Sequence, residues 1–235
     1  MKSVVVIVLI SILLNAKSCV DLFEFIKRYF SDEKSIDYQL TYFNGRGRAE
    51  LARLIFATAN VQYEDIRIDY INEWPNKKKE SPLGQLPFLS VNDIKLPQSI
   101  ALSRLLAKRH NLAGKDDLEQ AKTDAVVDTL NDYYLKVYYA NEQERPAVVA
   151  KFLAEDGAVH LGRVEKILNL FGIVGFSVGS SLTWADLFVY DITSIIDSQD
   201  QNVLNNYPRI LSVRNTVQSN ERVAEYLKKR PNTEF

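Results

Sequence analysis

From Ile36 onward apolar and polar residues alternate. Ile36, Tyr38, Leu40 and Tyr42 fall between Asp37, Gln39 and Thr41, the period of two that sends successive side chains to opposite faces of a strand. Gly45 and Gly47 then mark a turn, and the period lengthens. Within Arg48 to Asn60, the residues Leu51, Leu54, Ile55 and Phe56 share one side of a helix. A second strand is expected near Ile66 and Ile68. Leu86 to Val91 and Ile94 to Leu96 are short apolar runs on either side of Asn92-Asp93, the signal of a tight hairpin. Ile100 to Arg109 reads as helix again. The order βαβ then ββα is that of a thioredoxin-like domain with a mixed four-stranded sheet, although other small α/β folds share it.

Strand patterns stop after this point. His110 to Asp117 holds Gly114 and several charges and reads as a linker. Beyond it Leu118, Ala121, Ala125, Val126, Leu130, Tyr133 and Val137 recur at three and four, as on one face of a long helix. Pro146 suits the first position of another helix, with Val149, Phe152 and Leu153 turned inward. Phe171 to Ser181 is a loop rich in Gly and Ser. A further helix is expected from Thr183, whose hydroxyl would cap it while Asp186 faces the same amides. The expected fold class is therefore α/β followed by all-α: a thioredoxin-like domain over 36–112 and an all-helical domain over 118–235.

The first 35 residues follow neither pattern. Lys2 precedes an apolar run from Val4 to Leu14, and Ala16-Lys17-Ser18 offers small residues at a cut before Cys19. That is the form of a secretory signal peptide over 1–18, and it makes the expected product secreted and extracellular. The run is shorter than the ~20 apolar residues of a spanning helix, so no membrane span is expected once it is removed; an uncleaved anchor is the alternative. Residues 19–35 form an N-terminal extension in which Leu22, Phe23, Phe25, Ile26, Tyr29 and Phe30 make one apolar helical face, suited to packing on the body or to contacting a partner.

Charge narrows the function. The 235 residues hold 29 basic and 30 acidic side chains, for a net charge of -1, so no basic excess exists to release counterions from nucleic acid. His110 and His160 lie far apart, and the single cysteine, Cys19, completes no familiar metal-ligand spacing. With no cysteine in the first domain, thiol exchange of the thioredoxin kind has no nucleophile there. Neither a Ser-His-Asp set nor a phosphate-cradling glycine loop is present.

What remains is a constellation in the first domain. Tyr42 ends the first strand, Arg48 opens the next helix, and Trp74, Pro75, Lys77 and Lys78 follow. Then come Gly84-Gln85-Leu86-Pro87 and Gln98-Ser99. Singly each has a plain reading: a rim tyrosine, a surface arginine, an edge-strand proline, a helix cap. Together, YQLTYFNGRGRAELARLIFA, WPNKK, SPLGQLP, LPQS and the later SLTWAD closely resemble the sigma-class glutathione transferases, including the glutathione-requiring prostaglandin D synthases. Secreted nematode members are among the proteins it resembles. The resemblance runs from about Ile36 to the C-terminal KKRPNTEF.

The resemblance implies glutathione as cosubstrate and a role for each residue. Pro87 matches a proline after a cis peptide bond, which turns the Leu86 backbone toward the tripeptide like an added strand. Ser99, beside Gln98, matches the residue at the γ-glutamyl carboxylate, where a helix N-terminus suits an anion. Trp74, Lys78 and Gln85 match residues at the glycyl end. Tyr42 matches the catalytic tyrosine, whose hydroxyl stabilises the thiolate, with Arg48 nearby. A two-unit fall from the ordinary thiol pKa takes ~2.7 kcal/mol, within reach of one charge-assisted hydrogen bond at ~1.5–3 kcal/mol plus an arginine.

Asp124, Asp128, Asn131 and Asp132 share one side of the long helix, which by itself reads as a solvated stripe. The resemblance instead gives Asp132 to the glutathione amine of a neighbouring subunit, and so implies a homodimer. Some relatives bind a divalent ion through three aspartates here; Asn131 replaces one of them, and no metal is expected. Phe43, Arg48 and Tyr139 bound the expected pocket for a hydrophobic electrophile or lipid. Tyr139 stands where the prostaglandin synthases have tryptophan, so isomerisation of prostaglandin H stays open beside conjugation. A non-catalytic carrier on the same fold is the competing reading.

Overall fold

The computed structural model describes residues 37–138, 145–197 and 202–233. The signal sequence, the extension with Cys19, and Tyr139 lie outside the described residues. Strand β1 spans Tyr38–Phe43, β2 Glu64–Ile68, β3 Phe88–Val91 and β4 Ile94–Pro97. They form one sheet in the order β2-β1-β3-β4. β1 runs parallel to β2 and antiparallel to β3, which pairs antiparallel with β4. The parallel pair follows from the helix inserted between its strands, whereas Asn92, at φ 51°, lets β3 turn directly into β4.

Helix α1 (Glu50–Ala59) and α3 (Ser99–Arg109) pack on each other, and α2 (Trp74–Lys77) is a single turn. The four residues of the expected apolar face of α1, Leu51, Leu54, Ile55 and Phe56, are all buried. So are Glu50, Ala52 and Arg53, because α1 meets the helical domain as well as α3. The described helical domain comprises α4 (Asp117–Tyr138), α5 (Arg145–Phe152), α6 (Ala158–Phe171), α7 (Trp184–Asp197), α8 (Pro208–Ser219) and α9 (Glu221–Lys229). A π-helical turn, Leu153–Gly157, joins α5 to α6. α7 lies at the centre, buried from Trp184 through Thr193, and touches α1, α3, α4 and α8.

Three local expectations need correction. Among the described side chains of α4 the buried stripe is Thr123, Val126, Val127 and Leu130, while Leu118 is 67% exposed and Ala121 is also exposed; the side chains of Tyr133 and Val137 lie outside the description. The first turn of this helix lies at the surface, so its leucine never meets the core; Thr123 is buried because its hydroxyl donates to Ala113 O at 2.8 Å. The helix expected to open at Pro146 is described from Arg145, one residue earlier, and Phe152 is buried as expected. At the start of α7 the Thr183 hydroxyl does not cap amides. It donates to Asp186 Oδ2 at 2.8 Å, which also accepts the Thr183 N–H at 2.6 Å, while Oδ1 accepts the Ser177 N–H at 2.5 Å. A carboxylate is the stronger acceptor, so it takes the amides and the hydroxyl becomes a donor. Burial pushes the Asp186 carboxyl up, and the Ser177 and Thr183 donors oppose that shift.

No described helix is long and apolar enough to cross a membrane.

Candidate active site

Four chain segments meet at the end of the sheet where β1 finishes. The first is the turn after Phe43. Tyr42 is 1% exposed, and its hydroxyl accepts the Arg48 backbone N–H at 3.2 Å. That contact needs a bare backbone at Gly47, which has φ 39° and would place a Cβ 2.5 Å from the Tyr42 hydroxyl oxygen. Gly47→Ala is therefore expected to push the phenol out of place and to cut turnover strongly in a glutathione-dependent assay. Its far-ultraviolet spectrum should stay that of the parent, because the clash falls on one side chain tip.

The second segment joins α2 to β3. Buried Ser81 donates its hydroxyl to Gln85 O at 2.5 Å and accepts the Gln85 N–H at 3.1 Å. This pins the Gly84–Gln85 turn, where Gly84 takes φ 63° and the Lys78 side chain passes 3.5 Å from the position of an added Cβ. The Leu86–Pro87 peptide bond is cis, and both residues are buried just before β3 rather than within an edge strand.

The third segment is the β4–α3 junction. Gln98 holds φ 76° and ψ 108°, a conformation that costs a residue with a side chain ~1–3 kcal/mol and clusters at functional sites. Ser99 opens α3, and no side chain of the N-cap residue bonds the first amides, which leaves the helix end suited to a carboxylate. Arg48, Gln85, Leu86, Pro87, Gln98 and Ser99 line one small cleft.

Beside it stands an aromatic group from β1 and the β2–α2 connection. The Phe43 ring meets Trp74 edge-on at 5.4 Å and 87°, Tyr70 at 5.3 Å and 74°, and Tyr42 at 5.4 Å. Trp74 is thus brought against Phe43, and Lys78 to the Gly84 turn. Asp132 is not brought in: it is exposed on α4 and lines no part of this chain's cleft. The acidic stripe around it is not wholly solvated, since Arg104 of α3 bonds Asp124 at 3.0 Å and reaches Asp128 at 3.9 Å. Among the described residues no group of three His, Cys, Asp or Glu side chains is placed to hold a metal ion.

The sequence pattern did not single out Ser81, Glu50 or Arg53, and it marked Gly47 only as a turn residue, not as one pressed against Tyr42. Gly47 had a readable signal, a second glycine in the turn after an apolar strand. Glu50 and Arg53 had a weaker one, charges interleaved with a helix's apolar positions.

Residues 38–108 match the family described as glutathione S-transferase, N-terminal domain, and residues 127–230 match glutathione S-transferase, C-terminal domain. The chain is 38% identical to human hematopoietic prostaglandin D synthase over 202 residues, 85% of this chain and 99% of that protein. It is 34% identical to S-crystallin SL11 of Nototodarus sloanii, over 84% of this chain and 98% of that one. Among solved structures it superposes with a TM-score of 0.77 on the rat prostaglandin D synthase complexed with a quinoline, at 36% identity, covering 85% of this chain and 100% of that one. Matching both halves of the family and aligning over nearly the whole length of these relatives, the chain belongs to the glutathione S-transferases.

Proposed function

We propose that the protein joins the thiol of glutathione to hydrophobic electrophiles, with Tyr42 stabilising the thiolate and the Arg48 side chain adding positive charge at the cleft. The observation behind this reading is the Tyr42 hydroxyl accepting the Arg48 amide beside the cleft of Arg48, Gln85, Leu86, Pro87, Gln98 and Ser99. Accepting an amide hydrogen bond polarises the phenol and strengthens it as a donor. A phenol so placed favours thiolate over thiol and raises the fraction of nucleophile at neutral pH. The γ-glutamyl carboxylate would meet the start of α3 at Ser99 and Gln98. Backbone pairing at Leu86, with Trp74, Lys78 and Gln85, would hold the glycyl end. Phe43 and its aromatic neighbours suit the apolar body of the second substrate.

Prostaglandin H isomerisation is the finer proposal, supported by the likeness to the human synthase. Incubating the protein and glutathione with prostaglandin H and with reactive alkenals, and comparing products, tests both. Product from alkenals alone would remove the isomerase. Product from neither would favour a non-catalytic carrier, a reading that the likeness to an S-crystallin supports.

The dimer belongs to the same proposal. Exposed Asp132 lies off its own chain's cleft, where it is available to the glutathione amine bound by a neighbouring subunit. Asp132→Ala is expected to raise the KM for glutathione about tenfold or more, the scale of a lost hydrogen bond to a charged group, with sedimentation still reporting two chains. A fully active single chain would end this role. Secretion is proposed from the leader, and a mature N-terminus at Cys19 in material from a secreting host would support it.

A further inference from the structure

The C-terminal end of the chain reaches the turn that carries Arg48 through a buried chain of charges. Glu50, the residue after the 3₁₀ turn Gly47–Ala49, donates its N–H to Gly47 O. Its side chain is 1% exposed and holds three groups: Arg230 Nη1 at 2.7 Å, the Tyr226 hydroxyl at 3.0 Å and Arg53 Nη1 at 3.5 Å. Arg53, fully buried, donates from Nη1 to Gly45 O at 2.6 Å and to Arg46 O at 3.5 Å, and its Nε donates to Asp65 Oδ1 at 3.1 Å. The two carbonyls belong to the loop between Tyr42 and Gly47. Asp191 of α7 faces the same cluster, its carboxyl raised well above the usual range by burial and by Glu50. Arg46 lies within the same electrostatic reach.

Two features distinguish this cluster from general domain packing. Its hydrogen bonds end on Gly45 and Arg46, the backbone immediately before the Gly47–Arg48 amides, rather than on core helix. Tyr226 and Arg230 come from the last helix and the residue that ends it, far from the cleft in sequence. A second link, Arg222 of α9, bonds Thr58 O at the far end of α1 at 3.0 Å rather than a carbonyl of the turn. The same helix thus docks on α1 at two places, only one of which leads to the active site.

We infer that Arg230 and Tyr226 are positioning residues: acting through Glu50 and Arg53, they fix the Gly45–Ala49 turn so that the Arg48 amide meets the Tyr42 hydroxyl. This rests on the proposed role of Tyr42. Loss of Arg230 leaves Glu50 and Arg53 in a buried cluster with one cation fewer, and they rearrange. The turn loosens, and the phenol loses its alignment with the sulfur.

Arg230→Gln and Tyr226→Phe, with Arg222→Gln as the internal comparison, test the inference in the full chain. The readouts are the pH titration of the bound thiolate by its ultraviolet absorbance, the pH profile of kcat/KM, and the denaturant midpoint. The expected result is that Arg230→Gln and Tyr226→Phe raise the apparent pKa of the bound thiol by about one unit, a tenfold loss of thiolate below that pKa. Arg230→Lys should restore part of it. Arg222→Gln should lower the midpoint but leave the thiol pKa at the parent value. If all three variants share the parent's thiol pKa, or all shift it equally in step with their midpoints, the cluster is only structural. A parent protein that binds glutathione without any thiolate would instead remove the Tyr42 reading, and this inference with it.

Discussion

Tyr42→Phe should lower kcat/KM for conjugation by about one to two powers of ten, with the KM for glutathione little changed. The hydrogen bond proposed from this hydroxyl to a charged sulfur would contribute about 1.5–3 kcal/mol, and each 1.36 kcal/mol of barrier is about tenfold in rate. The substitution removes one oxygen from a side chain that is 1% exposed, so the ring keeps its packing against Phe43. The Arg48 amide loses its acceptor, a cost that falls on the turn rather than the fold. Rapid mixing that follows thiolate absorbance alongside steady-state rates decides the matter. Turnover at the parent rate would show that the sulfur is activated by something other than the phenol.

The largest loss of stability should come from Asp186→Ala. This carboxylate is fully buried and accepts three hydrogen bonds, from the Ser177 amide, the Thr183 amide and the Thr183 hydroxyl. Truncation leaves two buried amides without an acceptor at the start of α7, each costing ~1–3 kcal/mol. A loss of about 3–5 kcal/mol follows, and it acts on the helix that touches both domains. Chemical denaturation should therefore show one cooperative transition moved to lower denaturant for both domains together. Asp186→Asn, which keeps a single acceptor oxygen, should recover part of the loss. A midpoint for Asp186→Ala within error of the parent would mean that the loop before α7 finds other partners.

Much of the architecture was written in local pattern. Alternation at Tyr38, Leu40 and Tyr42, the Asn92-Asp93 hairpin and the three-four spacing of α1 each depend on residues a few positions apart. Their periods therefore predicted β1, β4 and the order of the sheet domain. The candidate cleft was legible for a different reason, the resemblance to a known family, since singly Arg48, the Gln85-Leu86-Pro87 turn and Gln98-Ser99 had plain readings. The structure brings them to one cleft because each sits where one element gives way to the next and the sheet order gathers those ends.

What the tertiary structure alone decided were matters of who packs against whom. Period could not tell that the α4 stripe runs through Thr123 and Val127 rather than Leu118, because only the neighbouring helices define which side is inside. Nor could it bury Glu50 and Arg53: a charge leaves water only when partners from distant segments, Asp65, Tyr226 and Arg230, meet it there. Gly47 stands between the two cases. Its need for a bare backbone is a property of one residue, yet the atom that imposes it, the Tyr42 hydroxyl, arrives only when the strand and the turn have folded against each other.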